Sequence, residues 1–450
     1  MNNKNNLSIS SHNQEQLDLL EALFATIHHF FGNVSNLFKN VQDPRIENKT
    51  EYPLSCLGFT GILMFLFHLG ARRQIKYMLK DNSFSEEKFN TIFNVNEVPH
   101  GDTLNDTFSI SNPNDYQEII CKMVEKLIRK KVLSSTRLLG KHYTIAVDGT
   151  GIMTFKDRHC PHCLKRKINK DTTIYYHPVL EAKLVTPNGF AFSIMSEFIE
   201  NSEENISKQD CELNAFYRLA NKLKQRFPRL PISLCLDGLF AGGPTFKLCE
   251  SFGWKFMIVL TDKDLPSVNT EFEGLSKLHS ENKLSISSKN VKQNYRWINE
   301  IYYKDCKKNE HDINVIECIE TKKNKSTKFK WVTNFNVSDK NIVTIANRGG
   351  RIRWKIENEG FNVQKNGGTK LEHAYSNNEY ASKIFYYLLQ ISHIISQLLS
   401  KGSLLNNLAK FGSVKNMCFK LLEAWRNVCF PDNLFKSIAN KKFQIRFDSS

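Results

Sequence analysis

Tyr143-Thr144-Ile145-Ala146-Val147-Asp148-Gly149 and, later in the chain, Ile232-Ser233-Leu234-Cys235-Leu236-Asp237-Gly238 are the two stretches whose reading decides the fold. Each is a short run rich in strand formers, stopped by an acid and a glycine, as expected for a central strand whose tip presents a carboxylate. Between them, Thr173 to Val185 and Phe190 to Phe198 flank Pro187-Asn188-Gly189 and read as two strands joined in a hairpin. Gln209 to Phe227 reads as a helix, and a helix from about Pro244 to Phe252 leads to an apolar strand, Lys255 to Leu260. Strands, helix, strand, helix, strand describe an α/β layer architecture.

On the amino-terminal side, Leu17, Leu20, Phe24, Ile27 and Phe31 recur at the period of an amphipathic helix. A second helix is predicted from about Tyr116 to Val132, introduced by Pro113 and ending in Arg129, Lys130 and Lys131. Residues 1–138 therefore read as a mostly helical region, either gripping DNA or a second subunit or packing as a helical layer with a solvated basic face. On the carboxyl-terminal side, residues 268–335 are rich in lysine and asparagine with alternating pieces such as Tyr295-Arg296-Trp297-Ile298, and read as a β-rich insertion. A helical pattern returns around Arg353 and Glu357, continues through apolar helices such as Ile384 to Leu399, and leaves 401–450 as a helical tail.

The chain has 450 residues, 41% of them hydrophobic, enough for a large buried core and too many for a disordered or fibrous protein. Lysine and arginine number 62 against 46 acids, and the resulting charge of +16 favours a polyanionic partner, above all nucleic acid. The stretch Gly58 to Ala71 is interrupted by His68 and is too short to cross a bilayer, so it reads as a buried helix. Met1 to Ser10 is polar and lacks the apolar core of a secretory signal, which predicts a cytosolic chain. Eleven cysteines then fit reduced thiols better than a disulfide framework.

Asp148 and Asp237 end two neighbouring strands and Glu357 sits on a later helix, so three distant acids converge at one edge of the predicted sheet. Gathered carboxylates repel one another unless cations join them. Two magnesium ions about 4 Å apart supply that compensation and suit in-line phosphoryl transfer. Taken singly, an Asp-Gly after a strand is an ordinary turn and a glutamate on a basic helix an ordinary ion-pair partner. Glu359 competes with Glu357 for the third position.

The runs around Asp148 and Asp237, together with Arg351-Ile352-Arg353-Trp354-Lys355-Ile356-Glu357 and its continuation to Lys365, resemble bacterial insertion-sequence transposases of the DDE type, across roughly residues 140 to 400. The resemblance implies a ribonuclease H-like catalytic domain over 139–400, interrupted by the β-rich insertion. It implies that Asp148, Asp237 and Glu357 are catalytic and bind two Mg2+ or Mn2+ ions. The activity implied is metal-dependent cleavage at element ends, with strand transfer into target DNA by a bacterial, nucleoid-associated enzyme acting as a dimer or larger assembly on double-stranded DNA. A family signature of tyrosine, arginine, glutamate and lysine surrounds the third acid. Arg353 matches it, Gly350 stands where the tyrosine is expected, and Lys365 lies one residue late, an offset that Gly360 can absorb by bending the helix. Arg353 and Lys365 are then phosphate contacts. Trp331, and less directly Trp297, are candidates to stack on an exposed base, against core packing as the plainer use. Two alternatives stay open: a non-catalytic DNA-binding descendant of such an enzyme, and a metal-dependent nuclease that never joins.

His159-Cys160-Pro161-His162-Cys163, followed by His177, offers a zinc site through Cys160, Cys163 and His177, against a reduced pair that packs locally. Glu197, Glu200, Asp210 and Glu212 surround a helix start and read as caps, and Asp262 and Asp264 as turn residues.

Overall fold

The computed structural model describes residues 2–158, 160–170, 172–202, 208–288, 290–323, 325–406 and 411–447, as a mixed α/β protein with helical flanks. Its strands are β1 (Tyr143–Phe155), β2 (Leu164–Lys167), β3 (Thr173–Val185), β4 (Ala191–Phe198), β5 (Ile232–Leu236), β6 (Lys255–Val259), β7 (Lys283–Ser288), β8 (Val291–Lys304), β9 (Glu310–Lys322) and β10 (Lys325–Thr333). They form one mixed sheet in the order β2-β3-β1-β5-β6-β10-β9-β8-β7, with β4 paired to β3. β1 has an antiparallel partner, β3, on one side and a parallel partner, β5, on the other. The β5 and β6 strands are also parallel, each pair joined by a crossover that contains a helix, Glu212–Arg226 before β5 and Gly243–Phe252 before β6.

The strand carrying Asp148 does not stop there. It leaves β5 after the Ala146/Cys235 pair but runs on to Phe155 against β3 alone, with Met153 opposite His177. Asp148 thus lies two residues past the end of the parallel ladder on β1, and Asp237 two residues past it on β5, so the shared register sets the two acids side by side. The β3–β4 hairpin forms across Pro187-Asn188-Gly189 as read, with Gly189 at φ +85°, the left-handed conformation that a glycine takes without strain.

The insertion, read as β-rich, holds a helix as well, and its strands belong to the core sheet. Its first part, Pro266–Leu278, is a helix, because Val268, Phe272 and Leu275 fall on one face and pack onto the sheet beneath a lysine- and asparagine-rich exterior. Its strands are also not a separate sheet, since β10 pairs antiparallel with β6 and carries the core sheet onward.

The helical ends of the chain share one core with the sheet. Helix 379–401 is buried along most of its length and packs between β4 and the amino-terminal helices 54–66, 101–110 and 113–129. The first helix, Asn2–Phe31, packs on helix 414–427, with Phe24 meeting Trp425, Phe430 and Phe435. Aromatic contacts with Trp425, Phe430 and Phe435 thus join the amino-terminal helices to the described part of the carboxyl-terminal tail. Among the described residues no helix is long and apolar enough to cross a membrane.

Candidate functional site

Residues 342–366 carry the third acid on a helix that is nowhere regular for long. It passes from α (Ile342–Ile345) to π (Ala346–Gly350), a 3-10 turn (Arg351–Arg353), a second π segment (Ile356–Asn362) and a last α turn (Val363–Asn366). Close packing on the sheet explains the irregularity. A Cβ at 350 would lie 2.5 Å from Trp331 Cε2, which requires glycine there, and one at 360 would lie 3.0 Å from the Lys183 stem, a tight fit. The Cys235 thiol donates to the Gly349 carbonyl at 2.8 Å and fixes the segment over β5. Trp331 therefore fills the space beside Gly350.

This packing sets Arg353 between two acids. Its guanidinium donates to Asp148 Oδ2 at 3.3 Å and to Glu357 Oε1 at 2.8 Å. Arg353 is mostly buried, with 10% of its side chain exposed, against 21% for Asp148 and 35% for Glu357. Its Nε is buried without a hydrogen-bond partner among the described residues.

Burial pushes the Asp148 carboxyl up to about 6. The Arg353 guanidinium opposes this, and the negative charges of Glu357 and Asp237 add to it. Burial raises Asp237 too, opposed by the Leu239 N–H and Arg353 and reinforced by Asp264 and Glu357. Asp148, Asp237 and Glu357 thus form one electrostatic cluster with a single guanidinium inside it. Glu359 does not belong to it, because its carboxylate pairs with Lys355 at 3.2 Å.

Two further acids surround the cluster. The Glu212 carboxylate occupies the space where a Cβ on Gly149 would stand, and burial and Asp237 raise its pKa. Asp264 Oδ2 would lie 2.6 Å from a Cβ on Gly238 while accepting from Thr261 N at 2.9 Å. Glu212 is in the first turn of its helix, as a cap reading requires, and Asp264 does hold a turn. Their second placement had one sequence signal, the glycine after each aspartate, which leaves room for a neighbouring carboxylate. The other acids read as caps are ion-paired instead: Glu197 with Arg218 and Lys222, Asp210 with Arg218, and Glu200 with Lys383.

Three carboxylates with two more beside them, against one arginine, leave a surplus of negative charge in a partly desolvated place. Such a donor set fits divalent cations with oxygen ligands. No choice of one oxygen from each of the three carboxylates puts all three within 4.8 Å of one another, a condition that only Cys160, Cys163 and His177 meet among the described residues. Two ions about 4 Å apart tolerate that spread, because only one carboxylate has to be shared between them.

Lys365 turns to Glu372, at 2.8 Å, and does not join the cluster in this arrangement. Trp331 and Trp297 are 2% and 4% exposed, with Trp331 stacked on Phe329, so their rings are core and not presented to solvent. The exposed apolar groups at this edge are Trp354 and Leu239, neither singled out by the sequence reading. His159 lies outside the described residues; the neighbouring Cys160, Cys163 and His177 do come together. Neither a comparison with family models nor one with curated proteins finds a match for this chain.

Proposed function

We propose that this chain is a DDE-type DNA transposase with a ribonuclease H-like core, cutting DNA at element ends and joining the freed 3′ ends to a target. The observation that carries the reading is Arg353 held between Asp148 and Glu357, with Asp237 in the same cluster. The central order, an antiparallel hairpin on one flank of β1 and two parallel strands on the other, supports a core of that type.

Asp148, Asp237 and Glu357 would hold two Mg2+ or Mn2+ ions, which when bound supply Lewis acidity at the attacking and leaving oxygens of an in-line displacement. The chain's own groups prepare that step. Arg353 fixes the orientation of two of the carboxylates and carries the cationic charge nearest to an incoming phosphate. Glu212 and Asp264 deepen the negative potential around Asp148 and Asp237. Lys365 reaches a phosphate only by giving up Glu372. The overall charge of +16 favours the DNA backbone as partner, and two ends brought to one target require at least two protomers.

Asp148→Ala is expected to abolish strand cleavage of end-bearing DNA in Mg2+ while leaving end binding within a few-fold of the parent. Cleavage at the parent rate refutes the assignment. A donor with a free 3′-hydroxyl and a plasmid target separate the rivals: joined product marks a transposase, cleavage alone a nuclease, and binding alone a non-catalytic descendant.

A further inference from the structure

We infer that Cys160, Cys163 and His177 form a zinc site, separate from the carboxylate cluster and independent of the transposase reading. Cys160 Sγ and Cys163 Sγ are 3.5 Å apart, and His177 Nε2 lies 3.4 Å from the first and 3.2 Å from the second. A tetrahedral zinc ion, with bonds of about 2.3 Å to sulfur and about 2.0 Å to nitrogen, sets two sulfurs about 3.8 Å apart and a sulfur and a nitrogen about 3.5 Å apart. The three observed edges are shorter by a few tenths of an ångström, a gap closed by small side-chain movements. A disulfide, by contrast, needs its sulfurs about 2.05 Å apart, so the pair here is two thiols.

The site is built into the surrounding backbone. Cys163 N–H donates to the Cys160 carbonyl at 3.5 Å, closing the turn that brings the two sulfurs to one side. His177 comes from β3, opposite Met153 of β1, and both it and Cys163 are buried. Asn201 clamps the turn from outside: its Nδ2 donates to the Cys163 carbonyl at 2.9 Å, and its own carbonyl is 2.8 Å from His162 Nδ1. The same Asn201 accepts from Asp210 N at 3.2 Å, two residues before Glu212, whose carboxylate sits against Gly149. Zinc binding displaces one proton from each thiol to solvent and ties the far half of β1 and β3 to the connection that positions Glu212. The three side chains fill three of the four tetrahedral positions and leave the fourth to water, and the ion acts on the cluster only through this connection.

The test uses the full chain, purified with reductant from zinc-supplemented medium and passed over a desalting column. Elemental analysis should find about one zinc ion per chain in the parent. Asp148→Ala should keep that zinc, whereas Cys163→Ser and His177→Ala should lose most of it. Because a ligand variant can misfold, the parent is also stripped and reloaded with Co2+ alone, which should give thiolate-to-cobalt charge transfer and the strong visible bands of a tetrahedral site. A zinc-free parent, zinc lost in Asp148→Ala but kept in His177→Ala, or Co2+ loading without thiolate absorption overturns the inference.

Discussion

Replacing Asp148 with Asn should stabilise the metal-free protein while removing its proposed activity. The Asp148 carboxyl is pushed from 3.8 to about 6 by burial and by the charges of Glu357 and Asp237, against the pull of Arg353. The folded chain therefore binds this proton more tightly than the unfolded chain does. That contribution to stability is complete below the unfolded value of 3.8 and is lost as pH rises through about 6. At pH 7 the ionised group costs the fold about 3 kcal/mol, from about two pH units at about 1.4 kcal/mol each. Asn keeps the shape without the charge, so Asp148→Asn should melt roughly 3–6 °C above the parent in EDTA at neutral pH, given about 1–2 °C per kcal/mol for a chain this long. The gap should be widest at pH 7 and close as the pH falls through 6 towards 4. Adding Mg2+ or Mn2+ should raise the parent's Tm and leave the variant's unmoved, because only the parent keeps the full ligand set. Calorimetry in EDTA across this pH range, repeated with each cation, reads all three effects. A variant that melts below the parent at neutral pH, or a gap that does not change with pH, refutes the account of a strained carboxylate cluster.

Arg353→Ala should act in the opposite direction. Removing the one cation between Asp148 and Glu357 should cost the metal-free fold about 3 kcal/mol at neutral pH, with much of the loss recovered near pH 5, as thermal melts at the two pH values would report. At the Trp331/Gly350 contact, Trp331→Ala should cost about 3–5 kcal/mol and leave the DNA affinity of the folded fraction unchanged, since the ring is core. Gly350→Tyr should cost about 3 kcal/mol in the parent and far less beside Trp331→Ala, and a double-mutant cycle in denaturant measures that coupling.

The central strands were legible because their chemistry is local. Tyr143 to Val147 and Ile232 to Leu236 are unbroken β-formers stopped by Asp-Gly, and Pro187-Asn188-Gly189 is a turn in any context. Asp148 and Asp237 could be named from their places at two strand ends, whereas Glu357 and Arg353 were picked out by the resemblance to the transposase signature. What escaped is set by tertiary contact. The π segments of residues 346–362 follow from Gly350 against Trp331 and Gly360 against Lys183, neighbours far apart in the chain. The helix at Pro266–Leu278 was masked by its polar exterior, because Val268 and Phe272 alone mark its buried face. Glu212 reads as an ordinary first-turn acid until Gly149 is folded against it.

The packing of the first helix, Asn2–Phe31, on helix 414–427 has a consequence for how the molecule is made. Phe24 finds Trp425 and Phe430 only after the roughly 400 residues between them have been made, roughly 20–80 s after its own synthesis at about 5–20 residues per second. Until then the face of the first helix that meets helix 414–427 waits uncovered, while its contacts with helices 34–38, 113–129 and 379–401 can already form. A reading frame truncated anywhere before residue 414 would leave that one face bare, and its product should be cleared by proteolysis rather than persist.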